Sequence, residues 1–277
     1  PLMNPFGVKA RESRDSPAHP KSLGVVFALD VTGSMGEIPN QLARKQLPSF
    51  MKTLGELHVA DPQILFMAVG DAVTDQGPLQ AGQFESSEKE IDQWLTWSWL
   101  EGHGGGNGAE SYELAMYFAA RHTDMDCMKK RQKRGYFFMT GDENPYPAAS
   151  RTLVRKILGD DIPADVPTAQ VVEELSRSFH PFFLVPNPER LPQCEAQWRT
   201  ILGDHVICMS SYDDTCDVAA GIVGLTEGAL PNLDALAAAL TSAGRERAHV
   251  GAVVRALTPY ATTLGRDGAP KPRFSPR

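Results

Sequence analysis

The chain is short of cysteine, of basic charge and of long apolar runs, and each shortage argues against a class of protein. Its four cysteines, Cys127, Cys194, Cys208 and Cys216, are sparse and show no C-x-x-C spacing. Such usage speaks against a disulfide framework or a zinc site and for reduced thiols in a cytoplasmic protein. No apolar run approaches the roughly 20 residues that span a bilayer, and the N-terminal residues lack the charged-then-apolar layout of a secretory leader. The expectation is a cytoplasmic protein without membrane insertion. The formal net charge is −7, which argues against a nucleic-acid partner or an anionic membrane, since both need a basic face. The one basic run, Lys129-Lys130-Arg131-Gln132-Lys133-Arg134, reads as a solvated helix end before a strand. There is no P-loop, no Ser/His/Asp or Cys/His set in a recognisable local context, and no internal repeat.

What the chain does have is a series of continuous apolar runs, three of which end at or beside Asp30, Asp71 and Asp142. Residues 1–22 hold four prolines and little apolar content, so they are expected to form an arm without a core of its own. Leu23 to Asp30 reads as a strand buried on both faces, because its apolar residues are consecutive and not alternating. A helix is expected over 38–57, a second strand over 63–70 and an edge strand over 78–84. Further helices are expected over 86–100 and 109–121, a strand over Gly135–Thr140, and helices over 149–158 and 168–179. The strand 181–185, a helix over 189–202 and a last strand over 205–209 follow, then Ala-rich helices over 216–256. Strands alternating with helices imply an α/β fold, a doubly wound, mainly parallel sheet with helices on both faces. The expected organisation is an arm at 1–22, one domain over 23–225, and a helical extension with a Pro/Arg-rich tail at 226–277.

In a doubly wound sheet ligands bind at the rim formed by the carboxyl ends of the strands. Asp30 and Asp142 both lie just past such an end. The stretch Asp30-Val31-Thr32-Gly33-Ser34-Met35-Gly36 offers one acid and two alcohols at alternate positions, with glycines that allow close backbone approach. These are hard oxygen donors suited to Mg²⁺, Mn²⁺ or Ca²⁺ and not to zinc. The same residues also suit a turn in which Asp30 caps the next helix and the hydroxyls satisfy loop amides. Asp71 and Asp75 lie near the same rim, as a second ion site or as turn-forming aspartates.

The stretch 30–36 resembles the D-x-S-x-S element of the von Willebrand factor A domain family, in its D-x-T-x-S variant. "HGGGNGAES" (103–111) and "FFMTGDENPYP" (137–147) stand where the family places its second and third metal-site loops. The resemblance covers roughly residues 22–225 and implies a Rossmann-like sheet with a metal-ion-dependent adhesion site. Asp30, Thr32 and Ser34 would carry the first motif and Asp142 the third. The second loop lacks the family's usual Thr; Asn107 is the first candidate for its oxygen, with Glu110 and Ser111 as the others. Gly33, Met35, His103, Glu143, Tyr146 and Asp71 are expected in the surrounding or partner-binding shell.

By that resemblance the chain is a bacterial-type, non-catalytic module whose Mg²⁺ takes an Asp or Glu from a partner protein. The family implies association with a MoxR-type AAA+ ATPase or with a bacterial conflict or stress system. One alternative is a structural subunit with an occupied or vestigial site. The other is a phosphohydrolase of haloacid-dehalogenase-like type, but that chemistry wants an Asp where Thr32 stands and another at Tyr146.

Overall fold

The computed structural model describes residues 2–100 and 108–266. The apolar runs form a six-stranded sheet of β1 (Leu23–Asp30), β2 (Pro62–Val69), β3 (Leu79–Glu85), β4 (Gly135–Thr140), β5 (Phe179–Val185) and β6 (Val206–Cys208). Their spatial order is β3-β2-β1-β4-β5-β6. Every neighbouring pair is parallel except β3, which runs antiparallel to β2 at the edge. This is a mixed α/β fold with a mainly parallel, doubly wound sheet, as the alternation of strands and helices implied.

Helices cover both faces. They are α1 (Ile38–Gln41), α2 (Phe50–Glu56), α3 (Glu88–Trp97), α4 (Tyr112–Arg121), α5 (Asp126–Arg131) and α6 (Arg151–Ile157). After them come α7 (Thr168–Ser176), α8 (Leu191–Leu202), α9 (Thr215–Glu227), α10 (Leu233–Ser242) and α11 (Arg247–Thr263). Every residue of β1 is buried, and alternate side chains leave by opposite faces. Val25, Phe27 and Leu29 enter the core shared with α2, α3 and α9–α11, whereas Val26 and Ala28 enter the core shared with α4 and α6–α8. Two apolar layers demand an unbroken apolar run. Among the described residues no helix is long and apolar enough to cross a membrane.

Two expected helices are drawn differently in the structure. The stretch 38–57 is not one α-helix: α1 passes into a π-turn at Leu42–Gln46 and a 3-10 turn at Leu47–Ser49 before α2. Pro48 lies inside it, and its missing N–H and ring bulk oblige the ladder to shift register. The helix expected from Ala109 begins at Tyr112, because Ala109 and Glu110 pair in parallel with Asn144 and Pro145 across the rim.

The first residues lie along the sheet edge: Arg11–Ser13 pairs with Thr123–Met125, and the Met3 carbonyl accepts the Ala81 N–H at 2.9 Å. The basic run is spent on ion pairs, Lys129 with Asp124, Lys130 with Asp126, Arg131 with Asp15 and Lys133 with Glu227. At the other end, Leu236, Leu240, Val253 and Leu257 of α10 and α11 are fully buried in the core that includes Phe27. A polar clamp holds them, since the His249 ring nitrogens reach Asp214 at 3.1 Å and Asp217 at 2.7 Å, and Arg245 reaches Asp217 at 3.0 Å.

Hydrogen bonds to Asp214 and then Asp217 outweigh burial and push His249 up to about 9. A histidine raised on folding stabilises fully below its unfolded value, and that contribution is lost as pH climbs through the folded value. The stability advantage of wild type over His249→Gln should therefore shrink by roughly 2 kcal/mol between pH 6.5 and 9.5. Urea denaturation at the two pH values measures it; an advantage that stays constant would mean that the clamp does not depend on the imidazolium.

Candidate metal centre

The strand order reverses between β1 and β4, and in such sheets the crevice for a ligand opens at that point. Leu29 of β1 lies in register with Thr140 of β4, so Asp30 emerges beside Gly141 and Asp142. From there a chain of oxygens runs across the crevice. Asp30 Oδ1 accepts the Thr32 N–H at 2.9 Å and the Thr32 hydroxyl at 2.6 Å. The Thr32 and Ser34 hydroxyls stand 3.2 Å apart, and Ser34 donates to Asp142 Oδ1 at 2.8 Å. The turn that aligns them is the 3-10 segment Gly33–Met35, closed by Gly36 at φ 56°, a left-handed conformation that suits glycine. Met35 is buried beneath it, while Ser34 is half-buried and Gly33 exposed, so the crevice opens outward there.

Two residues that the sequence did not single out complete this group. Tyr112, the first residue of α4, donates its hydroxyl to Asp30 Oδ2. Its ring is fixed by Phe183 and Trp198, both with centroids 5.6 Å away. A Cβ on Gly141 would collide with the Tyr112 hydroxyl, so the glycine before Asp142 was the one signal in the sequence. Arg190, ahead of α8, donates Nε to Asp142 Oδ2 at 2.9 Å and Nη2 to Glu143 Oε1 at 3.3 Å. The Glu143 carbonyl also accepts the Trp198 indole N–H at 2.9 Å.

The remaining expected residues divide. Glu110 is fully buried at the rim, and among the described residues neither carboxylate oxygen has a hydrogen-bond partner. Burial first, and then Asp30 and Glu143, push its carboxyl up to about 9. Ser111 faces the end of β2 instead, accepting the Ala72 N–H at 2.9 Å, so it does not join the oxygen chain. Asp71 accepts the Val73 N–H at 3.0 Å and the Tyr146 hydroxyl at 2.9 Å, and Asp75 accepts the Asp71 N–H at 2.7 Å. Both aspartates thus build their own turn, and Tyr146 braces it. His103 and Asn107 lie outside the described residues.

Burial dominates the electrostatics of the rim. Burial pushes Asp30 up to about 7 in spite of hydrogen bonds from Thr32 and Tyr112, and burial likewise raises Glu143. Among the described residues no three His, Cys, Asp or Glu side chains are grouped so as to hold a metal between them. Binding would therefore depend on the Thr32 and Ser34 hydroxyls alongside Asp30 and Asp142, an all-oxygen set of the kind hard divalent ions take.

A scan against models of protein families finds none that matches, and a search of curated proteins finds no relative. Solved structures do match. The pilus adhesin SpaC from Lactobacillus rhamnosus GG, in its open conformation, is 8% identical over 77% of this chain with a TM-score of 0.50. This chain spans only 31% of the length of that adhesin. A von Willebrand factor type A protein from Catenulispora acidiphila is 13% identical over 74% of this chain and 42% of its own, with a TM-score of 0.40. An aerotolerance-related membrane protein from Bacteroides fragilis is 13% identical over 72% of this chain and 97% of its own, with a TM-score of 0.44. At such identities the likeness is one of fold.

Proposed function

We propose that the chain is a non-catalytic module of the von Willebrand factor A kind that holds a divalent cation, Mg²⁺ or else Mn²⁺ or Ca²⁺, and binds a partner protein there. The observation that carries this reading is the contiguous run of oxygens Asp30–Thr32–Ser34–Asp142 at the switch point of the sheet. When bound, the cation would supply a Lewis-acidic position able to accept a carboxylate from outside. Asp30 and Asp142 would give it charge, Thr32 and Ser34 neutral oxygens. The partner is then a protein presenting an Asp or Glu, a role in which a MoxR-type AAA+ ATPase or a component of a bacterial conflict or stress system would serve.

Catalysis is not part of the proposal. Asp30 is fully buried with both oxygens engaged, which is a poor posture for a nucleophile. Of the four cysteines three are buried, and burial raises every thiol, which lowers the thiolate fraction that reacts.

A second reading, a structural subunit that does without a metal, draws on Arg190, whose guanidinium already rests on Asp142. Isothermal titration with Mg²⁺, Mn²⁺ and Ca²⁺ separates the two. Saturable heat, abolished by chelator, is expected; silence with all three ions would leave the structural subunit standing. Hydrolysis of an aryl phosphate that depends on Asp30 would restore the enzyme alternative.

A further inference from the structure

We propose that Arg190 and Glu110 set the strength of this cation site from opposite sides and from outside the coordination sphere, Arg190 holding affinity down and Glu110 holding it up. The inference rests on the cation reading above.

Asp142 divides its carboxylate: Oδ1 faces Ser34 and the oxygen chain, while Oδ2 takes the Arg190 Nε at 2.9 Å. A guanidinium stays charged throughout the working pH range. A fixed positive charge therefore stands one carboxylate away from any incoming ion, drawing electron density from Asp142 and repelling the ion. Asp142 is almost fully buried, so solvent screens this little.

Glu110 is placed on the other side by its backbone. It pairs with Pro145, three residues past Asp142. Its neighbour Ser111 donates its N–H to the Gly70 carbonyl at 3.2 Å, and Tyr112, two residues on, holds Asp30. Glu110 is thus fastened between the loops that follow β1, β2 and β4. Both of its oxygens are buried and, among the described residues, unpartnered, so its charged form costs free energy unless a positive charge lies within reach. It does not group with Asp30 and Asp142 closely enough to share an ion directly. Its part is electrostatic, or through a water that the ion holds.

Arg190 is a fixed cation, whereas Glu110 is a carboxyl that an ion at the rim would hold in its charged form, so the expected effects are opposite. By titration calorimetry, Arg190→Gln should raise Mg²⁺ affinity about tenfold and Glu110→Gln should lower it about tenfold, the usual reach of groups just outside a metal's ligands. Arg190→Lys, which keeps the charge, should stay within about threefold of wild type. Glu113→Gln serves as the control: Glu113 is also fully buried, but its carboxyl faces Asp71 and the Glu113 and Tyr146 backbone instead of Asp30 and Asp142. It should leave affinity unchanged.

Melting in chelator is measured alongside, because a packing role alone would destabilise both variants and weaken binding in both. Arg190 is partly exposed, so its variants are expected to fold and carry the test alone if Glu110→Gln does not. Wild-type binding that Arg190→Gln weakens or leaves unchanged would overturn the inference while the cation reading stands. No binding by wild type or any variant would overturn the cation reading, and this inference with it.

Discussion

Asp30→Asn is expected to cost about a hundredfold or more in Mg²⁺ affinity, since groups merely outside a metal's ligands are already worth 10–100-fold. Asp30 supplies the central charge of the oxygen chain and orients Thr32, whose N–H and hydroxyl both point at Oδ1. The amide keeps the shape and removes the charge. It also removes the desolvation that pushes this carboxyl up to about 7. Stability in chelator should therefore change by about 1 kcal/mol or less, the worth of one rearranged hydrogen bond. Titration calorimetry and chemical denaturation on the same preparations give both numbers. Undiminished binding by a folded Asp30→Asn protein would show that the ion is held elsewhere.

Trp198→Ala should have the largest effect on stability, about 3–5 kcal/mol by the usual cost of truncating a buried tryptophan. Trp198 is fully buried, stacks on Phe183 with centroids 4.1 Å apart, and abuts Tyr112 at 5.6 Å. Its indole N–H is also spent on the Glu143 carbonyl. Removing it deletes the wall behind Tyr112 and the anchor of the loop that follows β4. The loss therefore extends to the site, and Mg²⁺ affinity should fall with stability. Trp198→Phe, which refills most of the space but not the hydrogen bond, should recover more than half of the stability. Denaturation curves measure both variants; a Trp198→Ala protein within 1 kcal/mol of wild type would mean that neighbouring groups collapse into the gap.

These two residues mark the boundary of what the sequence discloses. Asp30 stands at the end of an unbroken apolar run, so the placement of a carboxylate at a strand end could be read without coordinates. Trp198 is one apolar residue among several on a helix, and nothing local says that it backs a residue 86 positions earlier. The inner strands of the central sheet were legible for the reason Asp30 was: a strand buried on both faces must be continuously apolar, and the carboxyl ends of parallel strands share one rim. The broken course of 38–57 and the late start of α4 were not, because periodicity does not register how Pro48 shifts a ladder or how Glu110 pairs across the rim.

The sequence by itself determined the layered α/β fold and put Asp30 and Asp142 just past strand ends on one rim; that β1 and β4 are neighbours, so that Ser34 reaches Asp142, was decided by the strand order of the folded sheet. Only the tertiary structure decided what surrounds them. Tyr112 on Asp30, Arg190 on Asp142 and the unpartnered Glu110 are contacts between side chains far apart in sequence. Local pattern fixes backbone placement, whereas the charge balance of a site is set by whichever long side chains the packing of distant helices brings to it.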